Sequence, residues 1–265
     1  MSLHTNRPRY RALPRCFPWA GGLLLVLTAP WLLAIEPTQG SIPPEYPPGQ
    51  LGTTVKLGEA IVRDTANHPM SKPFVGNSLN CTSCHLDAGK HELAASFVGT
   101  ATAYPAWAPR EKKVVTLEDR ILNCFLRSQN GTRPPNGSDV SVAIAAYITW
   151  LSSGQAIKMN ANGPLGPRRL NDLPIKSAAA SIPRGKTVYQ NQCADCHADN
   201  GEGTDSGPPV WGEQSYNDGA GLAGVDKLAA WLKVAMPIDA PELTDQEAVD
   251  VAAYINAQAR PAFRP

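Results

Sequence analysis

Apolar positions recur along the chain at helical spacing, in short runs separated by polar, proline-rich or glycine-rich stretches. Thr116-Leu-Glu-Asp119 carries a helix-opening pattern, in which a threonine is followed three residues later by an acid that can answer its backbone amide. Beyond it, Leu117, Ile121 and Phe125 fall on one line of the predicted helix, and Arg120, Cys124 and Ser128 on the next, at four-residue spacing. Apolar helical patterns also cover 140–151, 225–234 and 248–257, and shorter ones open at 57–62 and 184–189. Residues 154–183 are rich in proline and glycine and read as a connector. The expected fold is mostly α.

These segments form two sets because the chain repeats itself. Cys81-Thr-Ser-Cys84-His85 returns 112 residues later as Cys193-Ala-Asp-Cys196-His197, and the same offset carries Cys124 onto Met236. Tyr147 and Tyr254 hold related places in the helical segment that closes each half. In a C-x-x-C-H run the two thiols add to the vinyl groups of a heme and the histidine binds its iron. Two such runs, with no second cysteine pair left to complete a zinc site, predict two covalently attached c-type hemes. The expected organisation is two cytochrome c-like domains, 41–153 and 184–265, joined by the connector 154–183.

The amino terminus sets the compartment. Arg7, Arg9, Arg11 and Arg15 precede an uncharged stretch, 16–35, that contains Leu23-Leu-Leu-Val-Leu27 and Leu32-Leu33. A basic flank followed by an apolar core reads as a signal peptide over 1–40, which predicts a periplasmic protein; an uncleaved membrane anchor is the alternative. The whole chain has 24 basic and 23 acidic residues, and without residues 1–40 these become 20 and 22. About 225 residues then remain, near neutrality and enough for two small domains. No basic tail or aromatic platform suggests nucleic-acid binding.

Four of the six cysteines belong to the repeated motifs and Cys16 lies in the leader, which leaves Cys124. For the second heme, Met236 stands 39 residues beyond His197 and offers a thioether opposite the histidine; Met159, Met70 and Lys233 are the other candidates. For the first, Cys124 stands 39 residues beyond His85, with His68, Met70 and His91 as competitors. Arg120 and Ser128 flank Cys124 on its helix face, and a nearby guanidinium favours the thiolate, which is both the better ligand and the better nucleophile. Arg110, with Lys112 and Lys113 close in sequence, adds positive charge. A thiolate-bearing iron with cationic donors beside it suits a small dianionic sulfur substrate. A buried, inert Cys124 with Arg120 and Ser128 on a solvated face is the competing reading.

Three stretches carry a resemblance: Val75-Gly-Asn-Ser-Leu-Asn-Cys-Thr-Ser-Cys-His-Leu-Asp-Ala-Gly89, Val115-Thr-Leu-Glu-Asp-Arg-Ile-Leu-Asn-Cys-Phe-Leu-Arg-Ser-Gln-Asn-Gly131 and Pro208-Pro-Val-Trp-Gly-Glu-Gln-Ser-Tyr-Asn-Asp-Gly-Ala-Gly221. In these the chain resembles the diheme thiosulfate dehydrogenases, or tetrathionate synthases, from about residue 58 to 254. The resemblance implies His85/Cys124 ligation of the catalytic heme, substrate binding by Arg110, Arg120 and Ser128, and oxidative joining of two thiosulfates to tetrathionate. Electrons would pass to the second heme and on to a soluble or membrane-associated cytochrome or similar acceptor. Some members carry a lysine beside the second heme's methionine that exchanges with it. Here that neighbour is Ala235, so fixed His197/Met236 ligation is expected. A non-catalytic diheme electron carrier, or an enzyme of the SoxA type acting on sulfur bound to a carrier protein, would use the same motifs.

Overall fold

The structure is a computed structural model that describes residues 41–159, 161 and 166–264. The leader and anchor expectations for 1–40 lie outside the described residues. Among the described residues no helix is long and apolar enough to cross a membrane.

Among the described residues, seven α-helices and one small hairpin are held together by two larger apolar clusters. In the first lobe α1 (Gly49–Arg63) packs against α3 (Asp139–Trp150), and α2 (Leu117–Arg127) lies against α3. In the second lobe α4 (Ile182–Gln192) packs against α7 (Asp245–Asn256), with α5 (Ala194–His197) and α6 (Val225–Ala235) beside them. A β-carbon at Gly58 would lie 2.0 Å from the Ala143 carbonyl oxygen and 2.8 Å from Tyr147 Cβ. One at Gly185 would lie 2.0 Å from the Asp250 carbonyl oxygen and 2.9 Å from Tyr254 Cβ. Each lobe therefore closes its helix pair by the same device, a glycine that lets backbone meet backbone one turn before a tyrosine.

The helix expected at 57–62 begins at Gly49, behind Pro48, which supplies no side-chain cap. Its first two turns contain Gly52, Thr53 and Thr54, weak helix formers, and are held by the burial of Gly52 and Val55 rather than by a local signal. The Thr116 opening is present in full: the Asp119 amide donates to Thr116 Oγ1 at 3.1 Å, and the Thr116 amide donates to Asp119 Oδ2 at 3.2 Å. Ser128 lies just past the end of α2, as its C-cap.

An antiparallel hairpin of β1 (Ala106–Ala108) and β2 (Lys113–Val115), with Ala106 facing Val115, had no sequence signal. It buries Ala106, Ala108 and Val115 and carries Arg110 on its turn.

Candidate functional site

The first motif is anchored by a buried threonine. Thr65 Oγ1 donates to the Ile61 carbonyl at 2.9 Å and accepts from the Cys81 amide at 3.0 Å, which ties the motif to the end of α1. The turn then carries His85 under the ring of Phe97, with centroids 4.2 Å apart. His85 Nδ1 lies 2.5 Å from the Ala95 carbonyl oxygen. A carbonyl only accepts, so Nδ1 holds the proton and the other ring nitrogen is bare. Burial pushes the imidazole pKa down to about 4; the Ala95 contact opposes this and nearby Arg120 adds to it.

His85 lines a cavity of about 580 Å³, whose lining also includes Cys81, Cys84, Arg110, Arg120, Cys124 and Ser128. All seven residues read from the sequence for the first heme site thus share one chamber. Its walls are largely apolar, with Phe97, Leu117, Ile121, Phe125, Ile144 and Ile148 among them. The Arg120 guanidinium donates to the Cys124 sulfur at 3.3 Å. Arg120 has its pKa raised, first by the charge on Cys124 and further by Tyr104 and Glu111, against the cost of burial. Arg110 is lowered, first by burial and then by the like charges of Arg127 and Arg120. Arg110 thus sits among like charges, Arg120 within the chamber and Arg127 outside its lining, with Glu111 3.6 Å from Arg110 and 3.5 Å from Arg127.

Competing ligands for the first site sit elsewhere. Met70 packs against the first apolar cluster, the His68 ring accepts from the Met70 amide, and the His91 ring accepts from the amides of Leu93 and Ala94. None of the three lines the chamber. Lys112 and Lys113 are exposed on the hairpin and do not line it either. The hairpin turn presents Arg110 and sends its neighbours to solvent.

Sequence reasoning missed what completes the chamber. Tyr104, whose pKa burial pushes up to about 12, stands beside Arg120. Tyr216, Ala220 and Trp231 enter from the second lobe, and the Trp231 indole donates to the Cys84 carbonyl at 2.8 Å. The segment that carries Tyr216 is fastened to the first lobe by side-chain amides: Asn77 donates to the Ser128 and Ser215 carbonyls, and Asn217 donates to the Leu126 carbonyl at 2.8 Å. Arg110 and Arg127 both donate to the Gly219 carbonyl. Apart from Asn77–Ser128, these contacts span about ninety residues or more, so no local pattern announces them.

The second motif repeats the first in its chemistry. His197 Nδ1 lies 2.7 Å from the Pro208 carbonyl oxygen, which again leaves the other ring nitrogen bare, and burial lowers the ring pKa. Met236 ends α6 and packs with Cys193 in the second apolar cluster. Met159 is exposed, and the Lys233 ammonium is engaged by the Leu243 carbonyl and by Asp245 at 3.6 Å.

These residues fit c-type heme. Each motif brings two thiols beside a neutral imidazole with one bare nitrogen, and the first chamber is apolar around them. Gln129, buried in that chamber's lining, has a side-chain oxygen without a partner among the described residues, as suits a space shaped for a partly polar occupant.

Comparison with known proteins follows the same division. Residues 71–157 match the family described as SoxA/TsdA, cytochrome c domain, and 180–255 match cytochrome C oxidase, cbb3-type, subunit III. A thiosulfate dehydrogenase of Thiomonas intermedia is 40% identical over 227 residues, 83% of this chain and 70% of that protein. One of Allochromatium vinosum is 33% identical over 261 residues, 90% of this chain and 94% of that protein. The solved structure of the thiosulfate dehydrogenase (TsdBA) from Marichromatium purpuratum, in its as-isolated form, aligns with a TM-score of 0.76 at 38% identity, over 83% of this chain. This chain spans 50% of that longer one. The fold is two cytochrome c domains, and the group such domains carry is c-type heme.

Proposed function

The chain belongs to the thiosulfate dehydrogenase family, and from that premise we propose that it is a periplasmic enzyme that joins two thiosulfates into tetrathionate. The observation that carries the reading is the Arg120–Cys124 pair, 3.3 Å apart in the lining of the chamber that His85 also lines. The periplasmic location rests on the leader-like pattern of residues 1–40 and on the two C-x-x-C-H motifs.

In this reading Cys81 and Cys84 hold the first heme by thioether bonds, with His85 and Cys124 as iron ligands. Cys193, Cys196, His197 and Met236 do the same for the second. When bound, the two hemes supply the one-electron acceptors by which two electrons leave for an external cytochrome or similar acceptor.

Arg110 and Arg120 hold the thiosulfate dianion by its oxygens, with the Ser128 hydroxyl beside them, and so aim its outer sulfur at Cys124. Cys124 would hold the iron only at rest, and its sulfur must be free for the bond-forming step. Its thiolate and the outer sulfur form one S–S bond with loss of two electrons, giving Cys124–S–S–SO3⁻. A second thiosulfate attacks the outer sulfur of that adduct, tetrathionate departs, and the Cys124 thiolate is restored. The guanidiniums matter most where a thiosulfate dianion must approach first the Cys124 thiolate and then the anionic adduct, since like charges at contact distance repel unless cations lie beside them. The same groups serve the reverse reaction.

Steady-state assay with free thiosulfate, with ferricyanide or a cytochrome as acceptor and tetrathionate measured as product, tests the reading. Turnover without any added carrier protein supports it. Turnover only on a carrier-bound sulfur would replace it with a SoxA-type activity, and no turnover on either would leave an electron-transfer protein.

A further inference from the structure

Cations reach the lining of the first chamber from several parts of the chain: Arg110 from the hairpin turn, Arg120 from α2, Arg168 and Arg169 from the connector and Lys227 from α6. Of these, Arg120 donates to the Cys124 sulfur at 3.3 Å, and its guanidinium also hydrogen-bonds the hydroxyl oxygen of Tyr104. The proposed chemistry uses Arg120 and Cys124 and leaves Tyr104 without a part. Tyr104 is 7% exposed. Its ring packs with Ala103, Ala106, Ala108 and Val115, with Leu117 against them, and its amide donates to the Ala101 carbonyl at 3.2 Å. Leu117 opens α2, the helix that carries Arg120 and Cys124. One small apolar cluster therefore fixes both the tyrosine and the start of the helix that presents its partner.

The guanidinium is thus held by two acceptors of different kinds. The charge on Cys124 acts on Arg120 most strongly, and Tyr104 acts after it. In the proposed cycle the charge on sulfur comes and goes: a thiolate at the start, a neutral sulfur in Cys124–S–S–SO3⁻, and a thiolate again once tetrathionate has left. A disulfide sulfur attracts a guanidinium far less than a thiolate does, and a long side chain released from one partner regains many rotamers. Glu111, the acid that also acts on Arg120, is itself engaged by Arg110 and Arg127. The Tyr104 oxygen does not change through the cycle. It takes part in neither bond exchange, and burial keeps the hydroxyl protonated, its pKa pushed up to about 12.

We propose that Tyr104 is a positioning residue for the second half of the reaction, its hydroxyl oxygen keeping the Arg120 guanidinium beside Cys124 while the sulfur there is neutral. In that step the outer sulfur of the second thiosulfate bonds to the outer sulfur of the adduct, the bond from that atom to Cys124 Sγ breaks, and its electron pair stays on Sγ. No electron passes to the hemes. Negative charge therefore develops on Sγ, and a guanidinium already in place stabilises it without first having to move. The inference rests on the covalent adduct proposed above.

The test combines steady-state tetrathionate formation with rapid-quench mass spectrometry of Cys124, in the full-length diheme protein, for the wild type, Tyr104→Phe, Arg120→Gln and the double variant. Phenylalanine keeps the ring in its cluster and removes only the oxygen. In Tyr104→Phe kcat should fall about three- to tenfold, the range of one ordinary hydrogen bond, while KM changes by less than about twofold. The fraction of protein carrying the thiosulfate adduct during turnover should rise, and the resting spectrum of the first heme should stay the same. In the Arg120→Gln background the same substitution should cost less than about twofold, because the group it positions is gone. A Tyr104→Phe kcat within about twofold of wild type overturns the proposal, as does an equal loss in both backgrounds, which would make the tyrosine merely structural. Slower turnover without a larger adduct fraction also overturns it, since the effect would then lie in the first step. Should the double variant fold poorly, the adduct fraction in Tyr104→Phe decides alone. Tetrathionate formation with no adduct in either protein removes the covalent route and this inference together, whereas an adduct unaffected by the substitution removes this inference only.

Discussion

Arg120→Gln isolates the contribution of charge to the proposed reaction. Glutamine keeps a planar, hydrogen-bonding end and a comparable helix preference, but it lacks the charge and the fork. The native guanidinium sits 3.3 Å from the Cys124 sulfur, so the substitution removes a charge-assisted contact to sulfur and one to the incoming dianion. Two unit charges about 4 Å apart at an effective dielectric near 20 attract by about 4 kcal/mol, an upper bound where water enters the chamber. Measured contacts of this kind contribute about 1.5 to 3 kcal/mol. At about 1.4 kcal/mol per decade, kcat/KM for thiosulfate should fall about ten- to hundredfold. The loss stops there because Arg110 and Arg127 remain within the same charge cluster. Arg120→Lys should recover part of the loss, since a lysine keeps the charge but not the two-pronged geometry. The assay is steady-state tetrathionate formation, with an optical spectrum to show that both hemes remain. A Gln variant within twofold of wild type would refute the placement of substrate beside Arg120.

Cys124→Ala should abolish turnover in a folded diheme protein, whereas Cys124→Met should give a well-coordinated first heme of higher potential with very poor turnover; full activity in the Met variant would exclude a covalent adduct. Met236→Gly should leave both hemes attached and open one position on the second, seen as an altered second-heme spectrum and slower electron exit, and an unchanged spectrum would reject Met236 as ligand. Asp250 is only 1% exposed, and although burial alone would raise its pKa, hydrogen bonds from Arg184, the Ser181 amide and Gln246 outweigh burial and lower it. A depressed folded-state pKa means stability that is present above the unfolded value, near 4, and is lost as pH falls through the folded value. Asp250→Asn should therefore cost about 1 to 2 kcal/mol at pH 7, since Arg184 is partly exposed, and progressively less below about pH 4; thermal melts that differ equally at pH 7 and pH 3 would contradict this.

What the sequence made legible was whatever is decided within a turn or two of helix. The Thr116 opening, the Arg120–Cys124 spacing and the two C-x-x-C-H turns each depend on neighbours three to five residues away, and each is where the pattern put it. The repeat extended that reach, because Met236 and Cys124 share an offset that needs no knowledge of packing. Residues supplied from a distance were hidden. Tyr104 stands in an alanine-rich stretch without periodicity, Trp231 read only as part of an apolar helix, and Arg168 and Arg169 lay in a segment read as a spacer. The early start of α1 was equally silent, since its first turns depend on burial against the rest of the lobe rather than on a cap.

The Trp231–Cys84 hydrogen bond and the amide-fastened segment around Tyr216 have a consequence for how such proteins can be recombined. The connector looks like a seam at which one heme unit could be exchanged for another, and the two cysteine motifs do fall cleanly on either side of it. The first chamber does not. A hybrid joined at the connector would import the donor's Tyr216, Ala220 and Trp231 counterparts, and with them part of the wall beside Cys124 and Cys84. A hybrid that retains the native 166–170 and 208–235 and borrows only the remainder of the second half would keep the first chamber whole. The transferable unit of this architecture is therefore a reaction chamber assembled from three separated stretches of chain, not either half of the repeat.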